Sequence, residues 1–452
     1  MIGRALLSTF LLACACVGAR AQEAPTQDAP AAPGVGDRLE ALRAAAFAPE
    51  RLAQRRARLV ESLPEGAVVV VGSPAPTNDT WSYRPAPDFR YLSGLEESTV
   101  VLVLADGVDL AFAPARSRRH ELWNGARLAP GTPQAKALGF EAVVDRAELT
   151  KRLRGLLDEE GAELYLSGVT AEDLGLGDHD AEPAGPAIAA LRQVKDEAEV
   201  ALLSHAIDAT AAALTEAIRS LRPGLYEFEV QGVIEYLFTR YGAQREGFAT
   251  IVGGGPNSCV LHYVKNRRRL EAGDLVVMDV GAEAYGYSAD VTRTVPVSGT
   301  FTPRQREIYE LVLRAQRAGI EAVKPGATVR EVHRAAAKVI QDAGYGASFP
   351  HGTSHWLGLD VHDVGDYGRK LEPGMVLTVE PGIYLPEESL GVRIEDDVLV
   401  TETGHRVLSA GVPRDVEALE ALLDREGLGN RPVTPLPGPP AAQGEDDEPR
   451  RF

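Results

Sequence analysis

Cysteine is nearly absent: the 452 residues hold three, Cys14, Cys16 and Cys259. Two of these fall in the opening apolar run, which leaves Cys259 alone beyond it and excludes an intrachain disulfide framework, so stability must come from a core. Cys259, in the apolar "SCVLHY", is expected to be packed and inert. Aromatic residues make up 6% of the chain, too few to suggest a base-stacking platform. Positive charge is also short: 47 Lys and Arg against 65 Asp and Glu give a net charge of −18. That balance repels phosphate backbones and anionic membranes, so nucleic acid is not an expected partner. The short basic runs Arg116 to Arg119 and Arg267 to Arg269 are read as solvated faces. There is no GxSxG elbow, and "VGGGPNS" lacks the Lys-Ser/Thr of a phosphate-binding loop and the following acidic residue of a dinucleotide site.

The first residues, "MIGRALLSTFLLACACVGARAQ", present one Arg, an apolar run from Ala5 to Val17, and Ala19-Arg20-Ala21, the small-x-small pattern of a signal-peptidase site. The run is shorter than the roughly 20 residues of a spanning helix. A signal peptide over 1–21 and export to a periplasmic or extracellular compartment are expected. Lipid attachment at Cys14 in "LLAC" is the weaker alternative, because the run before it is brief. A hydrophobic fraction of 44% and a charged fraction of 25% suit a globular chain of two or three domains. Residues 22–47, rich in Ala, Pro, Gln and Asp at their start, are expected to be disordered or a linker. Residues 48–185 alternate β-branched runs, "AVVVVGS", "STVVLVLAD" and "ELYLSGV", with turns and helical stretches such as 148–158, which predicts an α/β domain. A second domain is placed at 190–425, opened by one long helical pattern that ends at Pro223-Gly224. The Pro- and Gly-rich 427–452 is expected to be a disordered tail.

The second domain repeats itself. "RPGLYEFEVQGVIEYLFTRYG" from Arg222 and "KPGATVREVHRAAAKVIQDAG" from Lys324 align at an offset of 102. Strand patterns follow in each half: "LEAGDLVVMDVG" against "LEPGMVLTVEPG" sets Asp279 over Glu380, and "YSADVTRTV" against "GVRIEDDVLV" sets Asp290 over Glu395. A pseudo-twofold axis would bring four carboxylates together. Such a cluster is unstable in an interior unless cations neutralise it. Exposed strand ends are the plain alternative, but Asp279 and Glu380 close apolar runs that read as buried. His351 and His355 are spaced i,i+4, yet Gly352 and Thr353 between them and the lack of a following Glu exclude an HExxH zinc helix. One imidazole could complete an oxygen-rich site for two divalent cations, hard or borderline ions such as manganese being favoured by carboxylate bridges.

"VVMDVGAEAYGYSADVTRT", "HGTSHWLGLDVHDVG", "TVEPGIY" and "GVRIEDD", in that order, resemble the pita-bread metallopeptidases, and within them the Xaa-Pro aminopeptidase and prolidase branch. The resemblance spans about residues 50 to 425. It implies an α/β N-terminal domain followed by an α+β pita-bread (creatinase/aminopeptidase) catalytic domain. It also implies two metal ions, most plausibly Mn2+ with Zn2+ or Co2+ as options, held by Asp279, Asp290, His355, Glu380 and Glu395. His262, His351 and His362 would then stand on the substrate side, with Glu380 passing a proton and Arg393 and Tyr384 orienting carboxylates or substrate. Asp363 would support the ligands, whereas His205 and His333, on helices without such context, are read as core histidines. The expected reaction is metal-assisted hydrolysis of the bond between an N-terminal residue and a following proline, proline-containing peptides being the substrate and a homo-oligomer the expected assembly. Prolidase, restricted to dipeptides, is the nearest alternative. A peptide-binding module without catalysis is the alternative from another class. One departure is Arg90, in "DFRYLSGL", where the family's aminopeptidases can carry a second aromatic.

Overall fold

A computed structural model describes residues 34–74, 83–131 and 133–431. The expected signal peptide and the tail beyond 431 lie outside the described residues. The first domain is built on a six-stranded mixed sheet in the order Ala142–Asp145, Val108–Ala113, Val101–Ala105, Ala67–Gly72, Glu163–Ser167, Glu182–Pro183. Its centre is buried on both faces, which is why "AVVVVG" is apolar throughout and does not alternate. Val69 and Val71 point to the side covered by helices Pro49–Glu61 and Pro87–Ser93; Val68 and Val70 point to the side covered by Leu149–Leu157.

Two boundaries differ from the sequence expectation. Within the expected linker at 22–47, Val35–Ala46 is a helix. Leu39 and Ala46 are buried and Leu42 is partly so, at helical spacing, in a cluster shared with the helix Glu197–Ser220. The face is narrow, so composition alone reads as unstructured. At the other end, the domain continues to residue 431: Gly429 N–H donates to Ser220 Oγ at 2.9 Å and Asn430 Nδ2 to the Ser220 carbonyl at 3.1 Å. These bonds satisfy groups at the C-terminus of Glu197–Ser220. The long helical pattern is also two helices, Gly185–Gln193 and Glu197–Ser220, because Asp196 caps the second with bonds from Ala198 N and Glu199 N.

The second domain shows the repeat in three dimensions. Glu227–Arg240 and Val329–Asp342 are both helices of 14 residues, and each end of one lies 102 positions from the matching end of the other. Each is entered through a glycine of positive φ, Gly224 at 98° and Gly326 at 84°, a conformation that residues with a Cβ adopt only with strain. The first half pairs Leu275–Val280 with Val291–Pro296 and Ile251–Gly254. The second pairs Val376–Val379 with Asp396–Thr401, and Gly382–Leu385 with Leu390–Arg393. Helices Glu197–Ser220, Glu227–Arg240, Pro303–Ala322 and Val329–Asp342 flank these sheets.

Candidate active site

The two halves meet at their carboxylates. Asp279 lies one residue from the end of Leu275–Val280, and Asp290 immediately precedes Val291–Pro296. Glu380 follows Val376–Val379, and Glu395 precedes Asp396–Thr401. Direct bonds stitch the halves at this point: Glu395 N–H donates to the Thr292 carbonyl at 3.1 Å, and Thr292 Oγ1 donates to Glu395 Oε2 at 2.7 Å. The loop carrying His355 is pinned by Thr378 N–H to the His355 carbonyl at 3.0 Å and by Glu380 N–H to the Thr353 carbonyl at 2.8 Å. His355 Nε2 then stands 3.3 Å from Asp290 Oδ2 and 3.8 Å from Glu380 Oε1. Asp290, His355 and Glu395 each offer a ligand atom within 4.8 Å of the others. Nδ1 of His355 donates to the Trp356 carbonyl at 3.0 Å, which leaves Nε2 as the bare nitrogen facing the carboxylates.

Crowding has the electrostatic result expected of it. Burial, then Asp279, Asp397 and Glu380 nearby, push the Asp290 carboxyl well above the usual range; burial, then Asp290, Glu380 and Asp279, do the same to Glu395. Glu380 is pushed up to about 7 by burial, with the His355 and Arg393 charges opposing. Asp279 Oδ1 and Asp290 Oδ1 are buried without a hydrogen-bond partner among the described residues. Oxygen donors left bare, four carboxylates and one imidazole nitrogen in one cluster fit divalent cations. Arg393 offsets part of the charge, donating to Asp279 Oδ2 at 2.5 Å, Tyr384 Oη at 2.9 Å and Thr292 Oγ1 at 3.3 Å.

All five expected ligands, with His262, His351, His362 and Arg393, line one cleft of about 480 Å³. Phe248, Ala249, Ile251, Leu261, Val264 and Val361 give it an apolar wall. His362 sits with its ring 4.3 Å from that of His355 and, held back by burial first and then by the His355 and His262 charges, protonates less readily than an ordinary imidazole. His351 is more tied than the sequence suggested. Burial lowers it to about 4, so it is neutral; Nδ1–H donates to the Gly352 carbonyl at 2.7 Å, and Nε2 accepts from Tyr384 Oη–H at 3.0 Å.

Several residues fall elsewhere. The Asp363 side chain turns away from the ligands: it is buried against Arg192 and, at 3.1 Å, Lys195, in the seam between the domains, and only its N–H, donated to the Trp356 carbonyl at 2.9 Å, meets the oxygen that holds His355. Arg90 lies against Phe47 and Glu96 and does not line the cleft. His205 Nε2–H donates to the Tyr241 carbonyl at 2.9 Å, and His333 Nδ1 bonds Thr353 Oγ1 at 2.8 Å, as packed histidines do. Asp397 was not singled out by the sequence, yet it is fully buried and accepts from Asp290 N–H at 3.2 Å. The third acid of "EDD" was its only signal.

A duplicated α+β domain whose halves each lend two carboxylates to one cation-ready cleft defines a metal-dependent hydrolase. The match to known proteins is specific: residues 201–402 fit metallopeptidase family M24, and residues 52–173 fit the aminopeptidase P N-terminal domain. The Xaa-Pro aminopeptidase of Escherichia coli (strain K12) is 36% identical over 426 residues, covering 82% of this chain and 96% of that one. Structures of E. coli aminopeptidase P with the inhibitor Pro-Leu, and of its zinc-substituted form with product, superpose with a TM-score of 0.77 at 34% identity. Each covers 83% of this chain and 98% of the other. The chain belongs to the M24 metallopeptidases, with the aminopeptidase P type of N-terminal domain and the pita-bread catalytic fold.

Proposed function

We propose that the chain is an exported Xaa-Pro aminopeptidase, which removes the residue ahead of a proline using two divalent ions, with manganese as the metal. The observation that carries this is the convergence of Asp279, Asp290, His355, Glu380 and Glu395 at the base of a cleft with an apolar wall. Those five residues would hold the ions, which when bound supply a water of lowered pKa and stabilise the charge developing on the scissile carbonyl. Glu380, at the base of the cleft, takes the proton from the attacking water and returns it to the leaving nitrogen. His262 and His362 face the cleft and donate to the peptide backbone, while Arg393 and Tyr384 fix Asp279 and His351. Proline has no N–H, so the apolar wall can receive its ring without an unmet donor.

Export rests on the first 21 residues of the sequence. Self-association is supported by Leu122 and Trp123, exposed by 82% and 78% on the helix Arg118–Asn124, a pairing that solvent does not favour. Manganese-loaded protein is to be assayed on an Xaa-Pro-Xaa tripeptide, its Xaa-Ala-Xaa counterpart and an Xaa-Pro dipeptide. Release of the first residue from the proline tripeptide, and not from the alanine one, is expected. Cleavage of the dipeptide alone makes the protein a prolidase, and cleavage of none makes it a binding module.

A further inference from the structure

Behind the cleft wall lies a carboxylate that the hydrolysis above does not use. Glu227 opens the helix Glu227–Arg240 and is fully buried. Its Oε1 accepts from Gly254 N–H and Asn257 Nδ2, both at 2.9 Å. Its Oε2 accepts from Tyr263 Oη at 2.9 Å and Arg268 N–H at 2.8 Å. An ionised carboxylate offers about four acceptor sites, and four donors meet them here. All four belong to the segment 254–268, whose middle supplies Leu261, His262 and Val264 to the cleft.

The same segment is held at two further points. Asn266, buried with φ of 47°, accepts from Val252 N–H at 3.1 Å and donates to Gln231 Oε1 at 3.0 Å and the Thr250 carbonyl at 2.8 Å. Ser258 Oγ accepts from Gly391 N–H at 2.8 Å, in the second half of the domain. None of these bonds is made by the His262 ring. Its place is therefore set by its backbone, and the neighbouring Tyr263 is the residue that Glu227 grips.

We infer that Glu227 is a positioning residue for hydrolysis, setting through the segment 254–268 where His262 stands against the substrate. This rests on His262 being a substrate-side group. Glutamine at 227 would keep the shape but turn an amide N–H toward two donors, one of them a backbone N–H that cannot reverse its role.

The test is a double-mutant cycle on the manganese-loaded full chain with an Xaa-Pro-Xaa tripeptide: Glu227→Gln, His262→Ala and the pair. Glu227→Gln is expected to lower kcat/KM by about 10²-fold, the cost of a misplaced group, with bound metal per chain unchanged. In the His262→Ala background the same substitution is expected to cost less than about 2-fold, since coupled sites are not additive. Losses that multiply would overturn the inference, because a general structural role is indifferent to His262. So would a His262→Ala variant of full activity, which separately removes the role given to His262. If Glu227→Gln does not fold, Tyr263→Phe deletes one of the four donors, and a smaller loss with the same non-additivity is expected; additivity there overturns the inference equally.

Discussion

Arg393 donates to Asp279, Tyr384 and Thr292 from an enclosed position, so its guanidinium orients one ligand directly and His351 through a phenol. Arg393→Met should leave Asp279 unpaired and lower metal affinity by about 10- to 100-fold, the usual cost of losing a ligand's orienting partner, as read by metal titration. The raised carboxyls give a second expectation. Below about pH 7 Glu380 holds its proton, and burial and mutual repulsion raise Asp290 and Glu395 as well; a cation must compete with protons for this cluster. Metal affinity should therefore climb as pH rises through about 7, with proton release on binding measurable in weak buffer; affinity independent of pH between 5 and 8 would contradict the crowding. The choice of His355 among the histidines rested on the family resemblance, whereas the convergence of the four carboxylates was legible at this scale because the repeat paired them and the runs before Asp279 and Glu380 were apolar. Asp397, Thr292 and Glu227 were not, because nothing local distinguishes a buried acid or threonine from an exposed one until the second half-domain closes over it.

Helix limits show the same division between local and distant causes. The helix Val329–Asp342 begins at Thr328, whose Oγ1 accepts from Glu331 N–H at 3.3 Å while Glu331 Oε2 accepts from Thr328 N–H at 2.7 Å. This capping box is exposed and remote from the cleft. Thr328→Ala should cost about 1 kcal/mol, seen in denaturant unfolding, with kcat/KM unchanged. Such signals are readable in sequence, as are the Pro-Gly starts of both repeated helices. The split at Asp196 was readable too, yet the apolar periodicity running across it suggested one helix. Val35–Ala46 was not readable, since its short apolar face gains its partners from distant parts of the chain, the helix Glu197–Ser220 among them.

Across the molecule, a buried ionic chain ties the first domain to the second. Arg192 bonds Asp88 at 2.7 Å in the first domain and Asp360 and Asp363 in the second, and Lys195 also reaches Asp363. Asp363→Ala leaves the buried Lys195 without its carboxylate, while Arg192 keeps Asp88 and Asp360, and about 3–5 kcal/mol of stability should be lost, measured as a lower unfolding midpoint; an unchanged midpoint would mean the seam contributes little. The domain order and duplicated architecture were legible from the sequence, but the seam was not, because the partners of Asp363, Arg192 and Lys195, lie about 170 residues away in the chain. The central claim is that the carboxylate cage holds the ions that do the hydrolysis. It is tested most directly by stripping the chain of metal and following first-residue release from an Xaa-Pro-Xaa tripeptide as Mn2+ is returned, in the native chain and in Asp279→Asn. An inert metal-free protein is expected, with activity that appears as two ions per chain bind and a variant at least about 10²-fold slower. Full activity in the stripped protein, or in Asp279→Asn, would contradict it.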